Sequence, residues 1–136
     1  MKKNIFLTIL ACIAVLTVSC SKENEFLIGK WRVINNQTTI TNENTNEETH
    51  QSDSSHPVYE FRENGEFLMS PYLYRVGSYS IDGNTLTISY DEKTTIYNVF
   101  TLTLTELVIE STTTEQGNRY VTTINLSKEC LPFNYY

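Results

Sequence analysis

Apolar and polar residues alternate along most of the second half of the chain. Leu86, Ile88 and Tyr90 are each separated by one polar residue, which is the period of a β-strand with one buried face. Turn motifs such as Asn64-Gly65 interrupt the alternation roughly every eight to twelve residues, a spacing typical of an all-β sandwich or barrel. About eight strands with short connections predict an antiparallel up-and-down meander that closes into a small barrel.

The apolar members of these alternating runs are assigned to the barrel interior. They are Trp31, Tyr59, Phe61, Phe67, Met69, Leu86, Ile88, Tyr90, Phe100, Leu102, Leu107, Ile109, Tyr120 and Ile124. The longest strand is predicted over residues 95–104. Phe100, Leu102 and Leu104 share one of its faces and Tyr97 and Val99 share the other, which indicates a bulge or burial on both faces.

Residues 41–56 contain no apolar side chain, and the sequence therefore predicts a flexible surface loop there. This segment holds both histidines, His50 and His56, together with Asp53. Imidazole and carboxylate groups are metal-ligand types. No metal site is predicted from them, because a solvated loop gives these side chains no fixed geometry or supporting contacts.

Composition narrows the function further. Ten Lys and Arg stand against 16 Asp and Glu, for a net charge of −6, and this acidity argues against nucleic-acid binding. Nineteen Thr, nine Tyr and six Phe are the residues that strands favour. Cys130 has no His near it in sequence, and no Gly-x-Ser-x-Gly motif or phosphate-binding Gly-rich loop is present. We therefore expect neither an enzyme nor a cofactor.

The N-terminus has the pattern of a secretion signal. Lys2 and Lys3 precede an apolar run that ends at Leu16, as in signal peptides. Ser19-Cys20 resembles the lipobox of bacterial lipoproteins, and this resemblance implies cleavage after residue 19 and acylation of Cys20. Residues 20–27 would then form a tether and residues 28–136 the folded domain. The alternative is an uncleaved anchor or a non-lipidated signal, with Cys20 an ordinary thiol.

The segment that follows Cys20 bears on the destination of the protein. Ser21-Lys22-Glu23-Asn24-Glu25 resembles the export signal of surface lipoproteins in the Bacteroides group, although an ordinary polar tether has the same composition. The resemblance implies a cell-envelope protein anchored by lipid to the outer membrane. The sequence leaves open whether the protein lies on the periplasmic face or on the outer face of this membrane.

Gly29-Lys30-Trp31 resembles the Gly-x-Trp signature of lipocalins, in which Trp closes one end of the barrel. The runs 59–67, 77–88 and 102–109 are similar to the short lipocalin-like domain of Bacteroides-group lipoproteins. This resemblance implies a lipocalin-like barrel. Arg119 and Lys128 are the candidates for the cation that packs on Trp31.

Two functions stay open for a protein held at the membrane by its lipid. In the first, the barrel binds a small apolar or amphipathic ligand; the candidate ligand-binding residues are Trp31, Tyr59, Phe61, Phe67, Met69, Tyr90, Phe100 and Tyr120. In the second, a filled barrel acts as a structural or protein-interaction module, with an envelope protein as its partner. The acidic surface and the 41–56 loop would contact that partner. An apolar cavity at one barrel end would favour the first function.

Overall fold

The computed structural model describes residues 25–71 and 75–129. Within these ranges, one helical turn at residues 25–27 precedes nine β-strands. The strands are β1 (Gly29–Asn42), β2 (Glu48–Ser52), β3 (Val58–Phe61), β4 (Glu66–Met69), β5 (Gly77–Asp82), β6 (Thr85–Tyr90), β7 (Lys93–Leu102), β8 (Glu106–Glu115) and β9 (Asn118–Lys128). None of the described helical residues forms a helix with the length and apolar character needed to cross a bilayer.

Eight of the strands form a closed antiparallel barrel. Strands β3 to β9 pair in chain order, β1 pairs with β3, and β9 returns to pair with β1. Strand β2 is an additional strand on the same edge of β1, beyond β3. The predicted all-β meander that closes into a small barrel is confirmed. Closure gives the eight barrel strands hydrogen-bonding neighbours on both sides.

The prediction of a loop over residues 41–56 needs correction. Strand β1 continues to Asn42, and β2 pairs with it from Thr41↔Glu48 to Gln37↔Ser52. The Asn42 side-chain oxygen accepts hydrogen bonds from the backbone N–H groups of Asn44 and Thr45 at 2.9 and 3.1 Å. All of β2 is exposed. Backbone pairing therefore holds this strand without apolar burial, and the hydrophobic pattern carried no sign of it.

Strand β7 contains the predicted bulge, but the bulge reverses the face assigned to Phe100. The register with β8 shifts between Val99 and Thr101. Val99 and Leu102 both pack against the core, whereas the Phe100 side chain is 58% exposed. The assignment of Phe100 to the interior is therefore wrong. An extra residue in one strand changes which positions face inward on either side of it.

A second bulge bends β1, where the register with β9 shifts between Val33 and Asn35. Before the bulge, Trp31 and Val33 are buried. Beyond it, Thr38 lies opposite Thr122, and their hydroxyl oxygens are 2.9 Å apart. The interior between β1 and β9 therefore changes from apolar to polar along the barrel.

The buried core fills the barrel interior around Trp31. Its members are Leu27, Trp31, Val33, Tyr59, Phe61, Phe67, Leu86, Ile88, Leu107, Ile109, Ile124 and Leu126. Nine of these twelve were predicted for the interior, all except Leu27, Val33 and Leu126, and Trp31 and Phe61 are completely buried. Tyr120 is only half-buried, and it pairs with Ile40 and Thr113.

Trp31 and Lys128 close one end of the barrel. The indole N–H of Trp31 donates to the Leu27 carbonyl at 2.8 Å. The Lys128 ammonium lies 4.6 Å from the centre of the Trp31 ring and donates to the carbonyls of Phe26 and Ile28. Of the two candidate cations, Lys128 is the one that packs on the ring; burial lowers its pKa.

Gly29 is required for this arrangement. Its φ of +134° is one that residues with side chains rarely adopt, and a Cβ there would lie 2.7 Å from Lys128 Cε. The Gly-x-Trp pattern at residues 29–31 thus has a local physical cause. The glycine makes room for the cation that covers the tryptophan.

Candidate ligand cavity

A cavity of about 160 Å³ opens among strands β3, β4, β6 and β7, at the end of the barrel where β6 turns into β7. Its lining residues are Tyr59, Phe67, Met69, Ile88, Tyr90, Lys93, Thr95 and Tyr97. Its volume is close to the roughly 150 Å³ of an engineered apolar cavity that admits benzene. Pockets for drug-sized ligands are larger, about 300–1,000 Å³.

Aromatic side chains build the inner part of the cavity. Phe67 is 1% exposed, and the rings of Tyr59 and Tyr90 meet it nearly edge-on, with centroid distances of 5.3 and 5.6 Å. Phe61 packs behind Phe67 at 5.2 Å. Edge-on and tilted contacts are favourable for aromatic pairs because they bring the ring edge to the ring face. The cluster fixes the shape of an apolar recess.

The phenol groups of Tyr59 and Tyr97 in the cavity lining are neutral at physiological pH. Burial raises the pKa of Tyr59, and the nearby Tyr97 and Asp53 raise it further. Burial also raises the pKa of Tyr97. Both hydroxyls therefore keep their protons and can donate a hydrogen bond, since a phenolate at either position would lose solvation.

The β6–β7 turn places two lining residues side by side at the rim of the cavity. Tyr90 pairs with Lys93 across Asp91 and Glu92, whose φ angles are +54° and +63°. Two consecutive left-handed residues define the two-residue hairpin turn that usually carries Asn-Gly. The Arg75 guanidinium holds Asp91 at 2.8 Å, which ties this turn to the start of β5.

The structure places only four of the eight predicted ligand-binding residues in the cavity lining. Tyr59, Phe67, Met69 and Tyr90 line the cavity. Trp31 and Phe61 belong to the packed core, and Tyr120 lies away from the cavity on β9. Phe100 is on the outer surface. Cys20, the predicted lipidation site, is outside the described residues.

Sequence reasoning missed Lys93, Thr95 and Tyr97 as lining residues, and it assigned Ile88 only to the core. Thr95 and Tyr97 lie on the face of β7 opposite to the one expected, because the bulge follows them, and Lys93 precedes the strand predicted over residues 95–104. The sequence nonetheless contains a turn motif that predicts these lining residues. Reading Asp91-Glu92 as a two-residue turn pairs Lys93 with Tyr90 and so places Thr95 and Tyr97 inside.

His50, Asp53 and His56 have separate partners. His50 Nδ1 lies 3.2 Å from Thr39 Oγ1, and His56 Nδ1 lies 2.9 Å from the Val33 carbonyl. Asp53 accepts hydrogen bonds from the Ser55 backbone and hydroxyl, which lower its pKa. Across residues 25–71 and 75–129, no three His, Cys, Asp or Glu side chains are grouped so that they could hold a metal ion.

The fold and the cavity together define a small closed β-barrel with a recess at one end. The family model of the lipocalin-like domain matches residues 27–109, which is more than half of the chain. The chain therefore belongs to the lipocalin-like domain family. No curated protein matches it. The match ends within β8, and β9 then completes the barrel by pairing with β1.

Proposed function

We propose that this protein is a lipid-anchored, non-catalytic binding module of the bacterial envelope that holds a small apolar or amphipathic molecule in the barrel cavity. The observation that carries the proposal is the cavity itself, a recess of about 160 Å³ with an apolar aromatic interior and a few polar groups at its rim. Such a combination is typical of small-molecule sites, and barrel mouths are a common place for them.

Size limits the ligand. A space of this volume accepts a group about as large as one aromatic ring. Trp31, Phe61 and Leu107, further into the barrel, are completely buried in the core. We therefore expect a compact ligand, or a larger one that inserts only a ring-sized group.

Native mass spectrometry of the chain purified from its own host tests ligand binding. A bound small molecule is expected on the wild-type protein. Met69→Trp should displace it, because the larger side chain fills the recess that Met69 lines. Met69→Leu nearly conserves volume and should keep the molecule. A ligand that stays bound to a folded Met69→Trp variant would place the site elsewhere.

The anchoring part of the proposal rests on the Ser19-Cys20 motif. Stable membrane attachment needs more than one acyl chain, and the proposed diacylated and N-acylated Cys20 supplies this. Cells fed a palmitate analogue should label the wild type and Cys12→Ala but not Cys20→Ala. Label retained by Cys20→Ala would refute lipidation at that residue. Protease accessibility on whole cells then distinguishes the surface face of the outer membrane from the periplasmic face.

A protein-interaction role is the second candidate, and one observation favours it. Ile96, Phe100 and Leu104 on and after β7 are each more than half exposed, and exposed apolar surface is a feature of protein-contact sites. A stoichiometric protein partner in the same native mass spectra, with no small molecule, would favour this function over ligand binding.

A further inference from the structure

One wall of the cavity is polar and the other is apolar. Phe67, Met69 and Ile88 supply apolar surface, whereas Lys93 and Thr95 come from the first residues of β7. A ligand that fills this space must therefore present an apolar part to β4 and β6 and can present a polar part to β7. The two sides meet at the rim, where Lys93 is exposed to solvent.

The rim of the cavity carries a positive charge from its lining. Lys93 is the single charged residue among the eight that line the cavity. It takes part in none of the ion pairs formed within the described residues. The adjacent Asp91 carboxylate is already bound by Arg75 at 2.8 Å. Glu92, next to Lys93 in sequence, is exposed.

Neutral hydroxyl groups complete the polar side. Burial keeps the phenols of Tyr59 and Tyr97 protonated, so the lining contributes donors and one positive charge, with no carboxylate. A ligand anion at the rim would meet the ammonium of Lys93, and no carboxylate of the lining would oppose it. The acidic groups outside the lining are Asp91 and Glu92, which precede Lys93 in the β6–β7 turn, and Asp53, which acts on Tyr59.

We propose that the cavity selects small amphipathic anions, in which a group about the size of one aromatic ring enters the recess between Phe67 and Ile88 and a carboxylate or similar anion lies at Lys93. The inference rests on the proposed ligand-binding function and specifies its chemistry. Long-chain lipids are outside this class, because about 160 Å³ holds only a ring-sized group.

Two probes of matched size test the role of charge. Benzoate and benzyl alcohol share the ring, and only benzoate is an anion at neutral pH. Binding of each to the full chain in lipid nanodiscs is measured by ligand-observed NMR. Benzoate is expected to bind about fivefold more tightly, the size of effect that a partly exposed charge pair gives. Added salt should reduce this preference, because exposed charges are screened.

Three variants locate the effect. Lys93→Met should remove the roughly fivefold preference and leave benzyl alcohol binding unchanged, while Lys93→Arg should retain the preference. Lys30→Met, at an exposed lysine on β1, is the matched control and should behave as the wild type.

The outcomes separate the two proposals. Equal binding of both probes, with no effect of Lys93→Met, would overturn the selection of anions and leave cavity binding intact. Binding of neither probe would overturn both. A benzoate preference that Lys30→Met abolishes and Lys93→Met does not would show general charge attraction, and the assignment to Lys93 would then be wrong.

Discussion

Lys128 serves the closed end of the barrel through both its charge and its hydrogen bonds. The ammonium donates to two backbone carbonyls of the chain entering β1 and also lies over the Trp31 ring. The carbonyls of Phe26 and Ile28 lack strand partners at this point, so the lysine satisfies acceptors that would otherwise lose solvation. One residue near the end of β9 thus fixes the start of β1.

Tyr59 should make the protein sensitive to alkaline pH. Folding raises the pKa of its phenol above the ordinary value of 10.0. Its stabilising contribution is therefore present below pH 10 and is lost as the pH rises through the pKa of the folded state. Urea unfolding at pH 8 and at pH 11 should show a smaller loss of stability for Tyr59→Phe than for the wild type. Equal losses would contradict a buried neutral phenol.

Glu92 occupies a backbone conformation that suits glycine better. Its φ is +63°, and the second position of this hairpin turn favours Gly. Glu92→Gly should raise the free energy of unfolding by about 0.5–1 kcal/mol, measured by urea titration at pH 7. Ser89→Gly, in the neighbouring strand β6, should instead lower it, because glycine weakens a strand interior. A loss of stability in Glu92→Gly would show that the turn does not hold this geometry.

The β7 bulge shows how a local irregularity determines which strand residues face the core. Phe100→Ala should change the free energy of unfolding by no more than about 0.5 kcal/mol, since the ring is largely exposed. Leu107→Ala on β8 removes a completely buried side chain and should cost about 2–5 kcal/mol. Thermal unfolding of the two variants checks this. A large loss in Phe100→Ala would mean that Phe100 faces inward.

The β4–β5 pairing is the shortest in the barrel and should open first. It consists of two residue pairs, Glu66↔Ser78 and Phe67↔Gly77, whereas β8 and β9 pair from Glu106↔Ser127 to Glu115↔Asn118. Amide hydrogen exchange should be faster in β4 and β5 than at the centre of β8 and β9. Equal protection would indicate that the barrel opens only by global unfolding.

The strands could be predicted from the sequence where burial leaves a record in the residue pattern. Leu86, Ile88 and Tyr90 alternate with polar residues, and β6 has the predicted face inward. β2 left no such record because all its residues are exposed. Phe100 was misplaced because a bulge depends on the register with β8, which is set by contacts distant in sequence. The cavity needed that same register, so only its β3, β4 and β6 side was predicted.

Closure of the barrel joins the first and last strands of the domain. β1 pairs with β9 from Trp31↔Lys128 to Asn42↔Asn118, so the barrel cannot close until residues far apart in sequence meet. Barrels dominated by such pairings fold in about milliseconds to seconds. Stopped-flow refolding followed by the fluorescence of Trp31 should fall in this range. Complete refolding within microseconds would contradict closure through β1 and β9.

The end of the barrel closed by Trp31 and Lys128, the plugged end, determines which way the cavity faces once the proposed lipid anchors the chain. Residues 25–28 lie at the plugged end, and the five residue-to-residue steps from Cys20 to Glu25 can span at most about 18 Å. With the proposed lipid at Cys20, the plugged end is held toward the bilayer and the cavity faces the aqueous phase. A ligand would then be captured from solution and not drawn sideways out of the lipid, which suits a small charged molecule better than a membrane lipid.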